Sequence, residues 1–98
     1  MKIAVTGANG FVGTHICNFL TAQGFQVNRV GRSEKKGFIN INQIDSSTNW
    51  DYALKDVEIV IHCASKLDGP KFKAKKNEFT KINYLGTKRL VEESLKAG

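Results

Sequence analysis

An α/β fold built on a parallel sheet is the architecture this sequence predicts, and three observations predict it. The amino terminus runs from a β-branched strand through a glycine cluster into apolar residues at helical spacing. Strand and helix patterns then alternate along the chain, and no internal repeat or low-complexity segment competes with that alternation. Strands joined through helices pair in parallel by right-handed crossovers. The 98 residues, 41% apolar and 24% charged with a single proline, make one domain at most. At this length roughly 60–65% of the unfolded surface is buried on folding, enough for one modest core and too little for a complete two-domain enzyme.

The first strand is residues 2–6, which stop at Gly7-Ala8-Asn9-Gly10. Val12, Ile16, Phe19 and Leu20 then recur at three and four, the spacing of a helix face. Gly24 supplies a helix end able to adopt positive φ, and residues 25–30 alternate apolar and polar as a second strand. Residues 37–41 are a short third strand, followed by a turn rich in Ser, Thr, Asn and Asp and a short helix over 50–55. Residues 57–61 are the densest β-branched run and read as a buried central strand ending at His62-Cys63-Ala64-Ser65. A basic loop leads to the last helix, over about 75–97, with Phe79, Ile82, Gly86 and Leu90 on one face.

Cysteine usage and charge narrow the surroundings. Cys17 and Cys63 sit in apolar contexts without C-x-x-C spacing, so neither a disulfide nor a zinc framework is expected. The first residues are too short an apolar run for a signal peptide or a membrane span, and a cytoplasmic location is expected. Fifteen Lys plus Arg against nine Asp plus Glu give a net charge of +6 and favour an anionic partner: a nucleotide, a nucleic acid or an acidic membrane. Charge alone does not choose among them.

The glycines carry more information. In Thr6-Gly7-Ala8-Asn9-Gly10-Phe11-Val12-Gly13 they recur every third residue between a strand and a helix. Gly7 suits a sharp turn out of the strand, Gly10 a close approach of phosphate to the backbone, and Gly13 close packing of helix on sheet. The amides of Phe11 and Val12 would open the helix and point at a pyrophosphate with the positive end of the helix dipole. A purely structural turn needs one glycine rather than three in register. Folds that hold a ribose diol carry a carboxylate about twenty residues on. Here that place reads Val30-Gly31-Arg32-Ser33. Arg32, with Arg29, Lys35 and Lys36 nearby, suits a 2′-phosphate, so NADP is favoured over NAD.

These residues resemble the extended short-chain dehydrogenase/reductase family of NAD(P)-dependent nucleotide-sugar epimerases, dehydratases and reductases. The loop from Thr6 to Gly13 matches the family's T-G-x-x-G-x-x-G, Asp45 a residue that bonds the adenine, and Ile61-His62-Cys63-Ala64-Ser65 the segment along the nicotinamide ribose. Asn83-Tyr84-Leu85-Gly86-Thr87 is similar to its N-x-x-G-T. The resemblance implies a Rossmann-like parallel sheet, first half only, with strand order 3-2-1-4, in a single truncated NAD(P)-binding domain over residues 1–98. It implies cofactor contacts from Gly7, Asn9, Gly10, Phe11, Val12 and Gly13, from Arg32 at the adenosine ribose, from Asp45 and Ser46 at the adenine, and from Cys63, Ala64, Ser65 and Asn83. The family's catalytic Ser or Thr and Tyr-x-x-x-Lys pair lie beyond this helix, so no catalytic residue is assigned. Tyr84 and Lys88 have the pair's spacing but fall on the wrong helix.

Other candidates have plainer readings. His15 and His62 lack partners at metal spacing, and no metal site is expected. Cys63 reads as structural. The lysines over 66–81, interleaved with Phe72 and Phe79, read as a solvated loop rather than a nucleic-acid surface. The expectation is a cofactor-binding module from the amino-terminal part of such an enzyme. The alternative is a non-catalytic interaction or redox-sensor module working through a partner chain. Either way the uncovered edge at residues 58–62 predicts strand pairing or a homo-oligomer.

Overall fold

The computed structural model describes residues 1–32, 36–41, 44–64, 68–69, 72–73 and 80–98. Its centre is a four-stranded parallel sheet of β1 (Lys2–Thr6), β2 (Gln26–Gly31), β3 (Phe38–Asn40) and β4 (Ile59–His62), in the order β3-β2-β1-β4. Thr6 stands opposite Val30 on one side and His62 on the other, and Gly31 opposite Asn40, so the carboxyl ends of the strands finish nearly level. That shared rim is where the connecting loops meet.

Alternation along β1 builds a core on each face of the sheet. Ile3 and Val5 point to the side of α1 (Phe11–Ala22), joining Ala8, Cys17, Ile16, Leu20, Val27 and Ile61. Ala4 points to the other side, into a cluster with Val30, Trp50, Ala53, Leu54 and Leu90 contributed by α2 (Asp51–Leu54) and α3 (Thr87–Ala97). Asn28 on that face donates to the Ala53 carbonyl at 3.0 Å, satisfying a helix-end acceptor with a strand side chain.

Two helix ends are set by local backbone chemistry. Gly24 has φ +92°, its amide bonds the Thr21 carbonyl and the Phe25 amide bonds Leu20, the paired bonds of a Schellman motif. Phe25 is thereby used in the helix stop, and β2 starts one residue later than its alternation suggests. After α2, Lys55 (φ −61°, ψ 123°) and Asp56 (φ +60°) form the centre of a type II turn closed by Val57 N–H to the Leu54 carbonyl.

Several expectations are corrected. The buried stripe of α1 is Gly13 and Cys17 flanked by Ile16 and Leu20, whereas Val12 and Phe19 are 58% and 64% exposed. The helix seats through its smallest residues, which turns the larger ones outward. Residues 57–61 do not form a buried central strand: among the described strands β4 pairs only with β1, and Ile59 is exposed. The last helix is not uniformly α: a π-helical segment, Thr80–Gly86, runs into α3, while residues 75–79 lie outside the described residues. Within the basic stretch β5 (Asp68–Gly69) and β6 (Phe72–Lys73) pair antiparallel. Two-residue strands are too short for any periodicity to announce them. Among the described residues no helix is long and apolar enough to cross a membrane.

Candidate functional site

The rim of the sheet is organised by the loop between β1 and α1. Gly7 takes φ +65°, and a Cβ there would meet the Ala64 amide nitrogen at 2.8 Å, so the loop turns hard against the segment leaving β4. The Gly7 carbonyl accepts the Gly10 amide at 3.0 Å. The same carbonyl would be 2.0 Å from a Cβ on Gly13. Gly13 therefore has a different task from the one its spacing suggests: it admits the loop's own backbone into the first turn of α1. The Ala8 amide bonds the Val30 carbonyl at 3.1 Å, and the Thr14 hydroxyl donates to the Ala8 carbonyl at 3.1 Å, anchoring the loop to β2 and to α1.

This folding leaves the start of α1 open. Gly10 is exposed in extended conformation as the N-cap and offers no side-chain cap, and the helix begins at Phe11, which is 82% exposed. The amides of Phe11, Val12 and Gly13 have no intrahelical acceptor, so the first turn presents donors and the positive dipole end, with Phe11 and Val12 exposed and Gly13 buried. An anionic diphosphate fits such a cradle. Asn9 lies over the end of β2, its Oδ1 2.7 Å from where a Cβ on Gly31 would stand. Gly31 is thus part of the site, and its place just before Arg32 was the signal that could have found it. Arg32 stands exposed one residue past β2.

On the far side of β2, Asp45 and Ser46 lie in a self-bonded turn. Asp45 Oδ1 accepts from the Ser47 amide at 2.9 Å and its hydroxyl at 2.8 Å, and the Asp45 amide donates to Thr48 Oγ1 at 2.8 Å. The last helix holds this turn in place: Arg89 Nε donates to the Thr48 carbonyl at 3.1 Å, and Gly86 approaches so closely that a Cβ would meet the Ile44 carbonyl oxygen at 2.6 Å. Asp45 is half-buried at the rim and Ser46 beside it is exposed.

Between β1, β4 and α3 lies a hydrogen-bonded chain that residue spacing does not reveal. The buried Thr6 hydroxyl oxygen accepts the amides of Cys63 at 3.0 Å and Ala64 at 3.2 Å and lies 2.6 Å from His62 Nδ1, while His62 Nε2 is 3.0 Å from Thr87 Oγ1. Burial holds the His62 imidazole below the ordinary histidine range. Burial likewise pushes the Cys17 thiol up, with the Arg29 charge opposing and Cys63 adding to the rise, which keeps it protonated and inert.

The fold thus brings Gly7, Asn9, Gly10, Phe11, Val12, Gly13, Arg32, Asp45, Ser46, Cys63 and Ala64 to one rim, with Asn83 half-buried on the π-helical segment beside it. Ser65 lies outside the described residues. Tyr84 and Lys88 are both exposed, in contrast to Thr87, which is turned inward to His62. Among the described residues no group of three or more His, Cys, Asp or Glu is placed to hold a metal ion.

Comparison with known proteins points the same way. Residues 3–98 match the family model described as the NAD dependent epimerase/dehydratase family. The chain is 35% identical over 101 residues to the decarboxylating sterol-4-alpha-carboxylate 3-dehydrogenase of Bos taurus, covering 99% of this chain and 28% of that protein. Among solved structures it resembles MoeE5 in complex with UDP-glucose and NAD (TM-score 0.80, 32% identity, 100% of this chain and 33% of that one). It also resembles the UDP-glucuronic acid 4-epimerase of Bacillus cereus in complex with UDP-glucuronic acid and NAD (TM-score 0.67, 26% identity, 94% and 35%). The chain therefore spans about a third or less of the length of these relatives.

Proposed function

Because this chain belongs to the NAD dependent epimerase/dehydratase family, we propose that residues 1–98 are the dinucleotide-binding module of an NAD(P)-dependent epimerase, dehydratase or reductase. The observation that carries this reading is the glycine loop: its backbone folds upon itself and leaves the uncapped start of α1 open to an anion. In this reading the amides at Phe11, Val12 and Gly13 bind the pyrophosphate and Asn9 steers it past β2. Asp45 and Ser46 border the adenine, and Cys63, Ala64, Ser65 and Asn83 the nicotinamide side. The bound nicotinamide supplies hydride acceptance and return. This chain's residues supply binding and orientation. The substrate class is a nucleotide sugar or a similar carbonyl or hydroxyl compound, in keeping with the UDP sugars and sterol named for the relatives.

The cofactor phosphate is read from Arg32. A guanidinium at residue 32, the first after β2, favours NADP, although the similar structures carry NAD. Calorimetric titration with NADPH and NADH in parallel, repeated on Arg32→Ala, separates the cases. The expected result is tighter NADPH binding that falls to the NADH level in the variant. Equal binding of both by the native chain would assign NAD, and no heat with either ligand in a folded chain would overturn the cofactor reading.

The exposed flank of β4 supports a partner strand at residues 58–62. For the 98-residue chain alone that partner is a second copy.

A further inference from the structure

The chain of hydrogen bonds from Thr6 to Thr87 has a polarity that proton counting determines. A hydroxyl has one proton and two lone pairs. Thr6 Oγ1 accepts from the amides of Cys63 and Ala64, which uses its lone pairs, so its proton goes to His62 Nδ1. His62 must then be the neutral tautomer with its hydrogen on Nε2, donating to Thr87 Oγ1. We infer that His62 is a positioning residue which, in this one protonation state, makes Thr6 the acceptor that holds the Cys63 and Ala64 amides at the cofactor rim.

The consequence is a site whose geometry depends on pH. A second proton on His62 would turn Nδ1 into a donor facing an oxygen that already accepts twice, and one of the three contacts must open. Both amides follow β4, where the chain turns across Gly7; the Cys63 amide also bonds the Thr6 carbonyl at 3.3 Å, so the contact that opens is that of Ala64, and its release loosens the wall against which the glycine loop is packed. Among the described residues, neighbouring charges do not supply this dependence. At this end β1 brings Thr6, with Lys2 at the opposite end of the strand, and β4 adds the Cys63 thiol. On α3, Lys88 is exposed and Arg89 is turned to Glu93 and the Thr48 carbonyl. Burial favours the neutral ring.

The amide part of the test stands alone, and the cofactor part rests on the reading proposed above. In the ¹⁵N-labelled 98-residue chain, long-range imidazole spectra, with His15→Gln to assign the other ring, are expected to show His62 protonated on Nε2 and accepting at Nδ1. The opposite tautomer would overturn the inference. As pH is lowered, hydrogen-exchange protection of the Ala64 amide is expected to drop about tenfold at the midpoint of His62's own titration, the loss of one hydrogen bond, and that of the Cys63 amide, which keeps the Thr6 carbonyl as acceptor, to drop less. His62→Asn, which keeps an acceptor near Nδ1 and does not titrate, should abolish that step. Thr87→Val should lower protection at every pH and Thr87→Ser should restore it. Protection that stays constant while His62 titrates in the native chain sinks the proposal without any variant. NAD affinity is expected to fall through the same pH step in the native chain and not in His62→Asn. A native chain that binds no NAD at any pH would refute the cofactor reading, while the amides still decide the role of His62.

Discussion

At the scale of single residues, the glycines differ in what forbids a side chain. Gly7 is constrained twice, by a left-handed backbone and by the Ala64 amide, whereas Gly13 is constrained by crowding alone, with the carbonyl oxygen of Gly7 2.0 Å from where a methyl group would stand. Gly13→Ala must therefore push the loop off α1. A loss of about 1–3 kcal/mol in stability is expected by denaturant unfolding, together with at least a tenfold loss of dinucleotide affinity by calorimetry. His62 gives a second residue-scale expectation. Its folded-state pKa lies below the unfolded value, so between the two the unfolded chain binds more protons and stability rises with pH. The contribution is present above the unfolded value near 6.5 and is lost as pH falls through the folded value. Unfolding free energies measured across a pH series should show that slope in the native chain and a shallower one in His62→Asn.

At the scale of elements, connections carry most of what is specific to this chain. The turn after α2 places Asp56 at φ +60°, where a type II turn favours glycine. Asp56→Gly is expected to stabilise the chain by about 0.5–1 kcal/mol, raising Tm by several degrees for a domain of this size. Gly86 behaves oppositely. It lets the junction between the π-helical segment and α3 rest on the Ile44 carbonyl, and Gly86→Ala should cost about 1–3 kcal/mol and displace the turn that carries Asp45. Emission of the single tryptophan, Trp50, buried beneath α3, reports both transitions.

At the scale of the whole molecule, the sheet is packed on both faces, and among the described strands β4 has a neighbour on one side alone. Ile59 is 42% exposed on that strand, and parallel strands recruit neighbours through unpaired backbone groups. Static light scattering is expected to show mass rising with concentration, and Ile59→Lys, a charge on the edge, to return the chain to a monomer. A native chain monomeric at high concentration would remove the partner-strand reading.

Alternation and turn chemistry are the features that residue order alone makes legible. The four strands of the parallel sheet, α1 and the glycine loop could be read because each depends on residues close together: β-branched runs, helix spacing, and glycines where φ is positive or the backbone is crowded. The 3-2-1-4 order followed from the family resemblance and agrees with the pairing. Which residues meet across long separations emerged only with the folded chain. Val12 and Phe19 fit a helix face equally well as core or surface until Gly13 and Cys17 seat the helix. The match of Gly86 to Ile44 depends on how near two distant segments come. So does the Thr6–His62–Thr87 chain, whose members are 56 and 25 residues apart. Local propensity is written residue by residue, but a hydrogen bond between remote side chains exists only once the sheet has brought its strand ends level, and that is where the protonation state of His62 is decided.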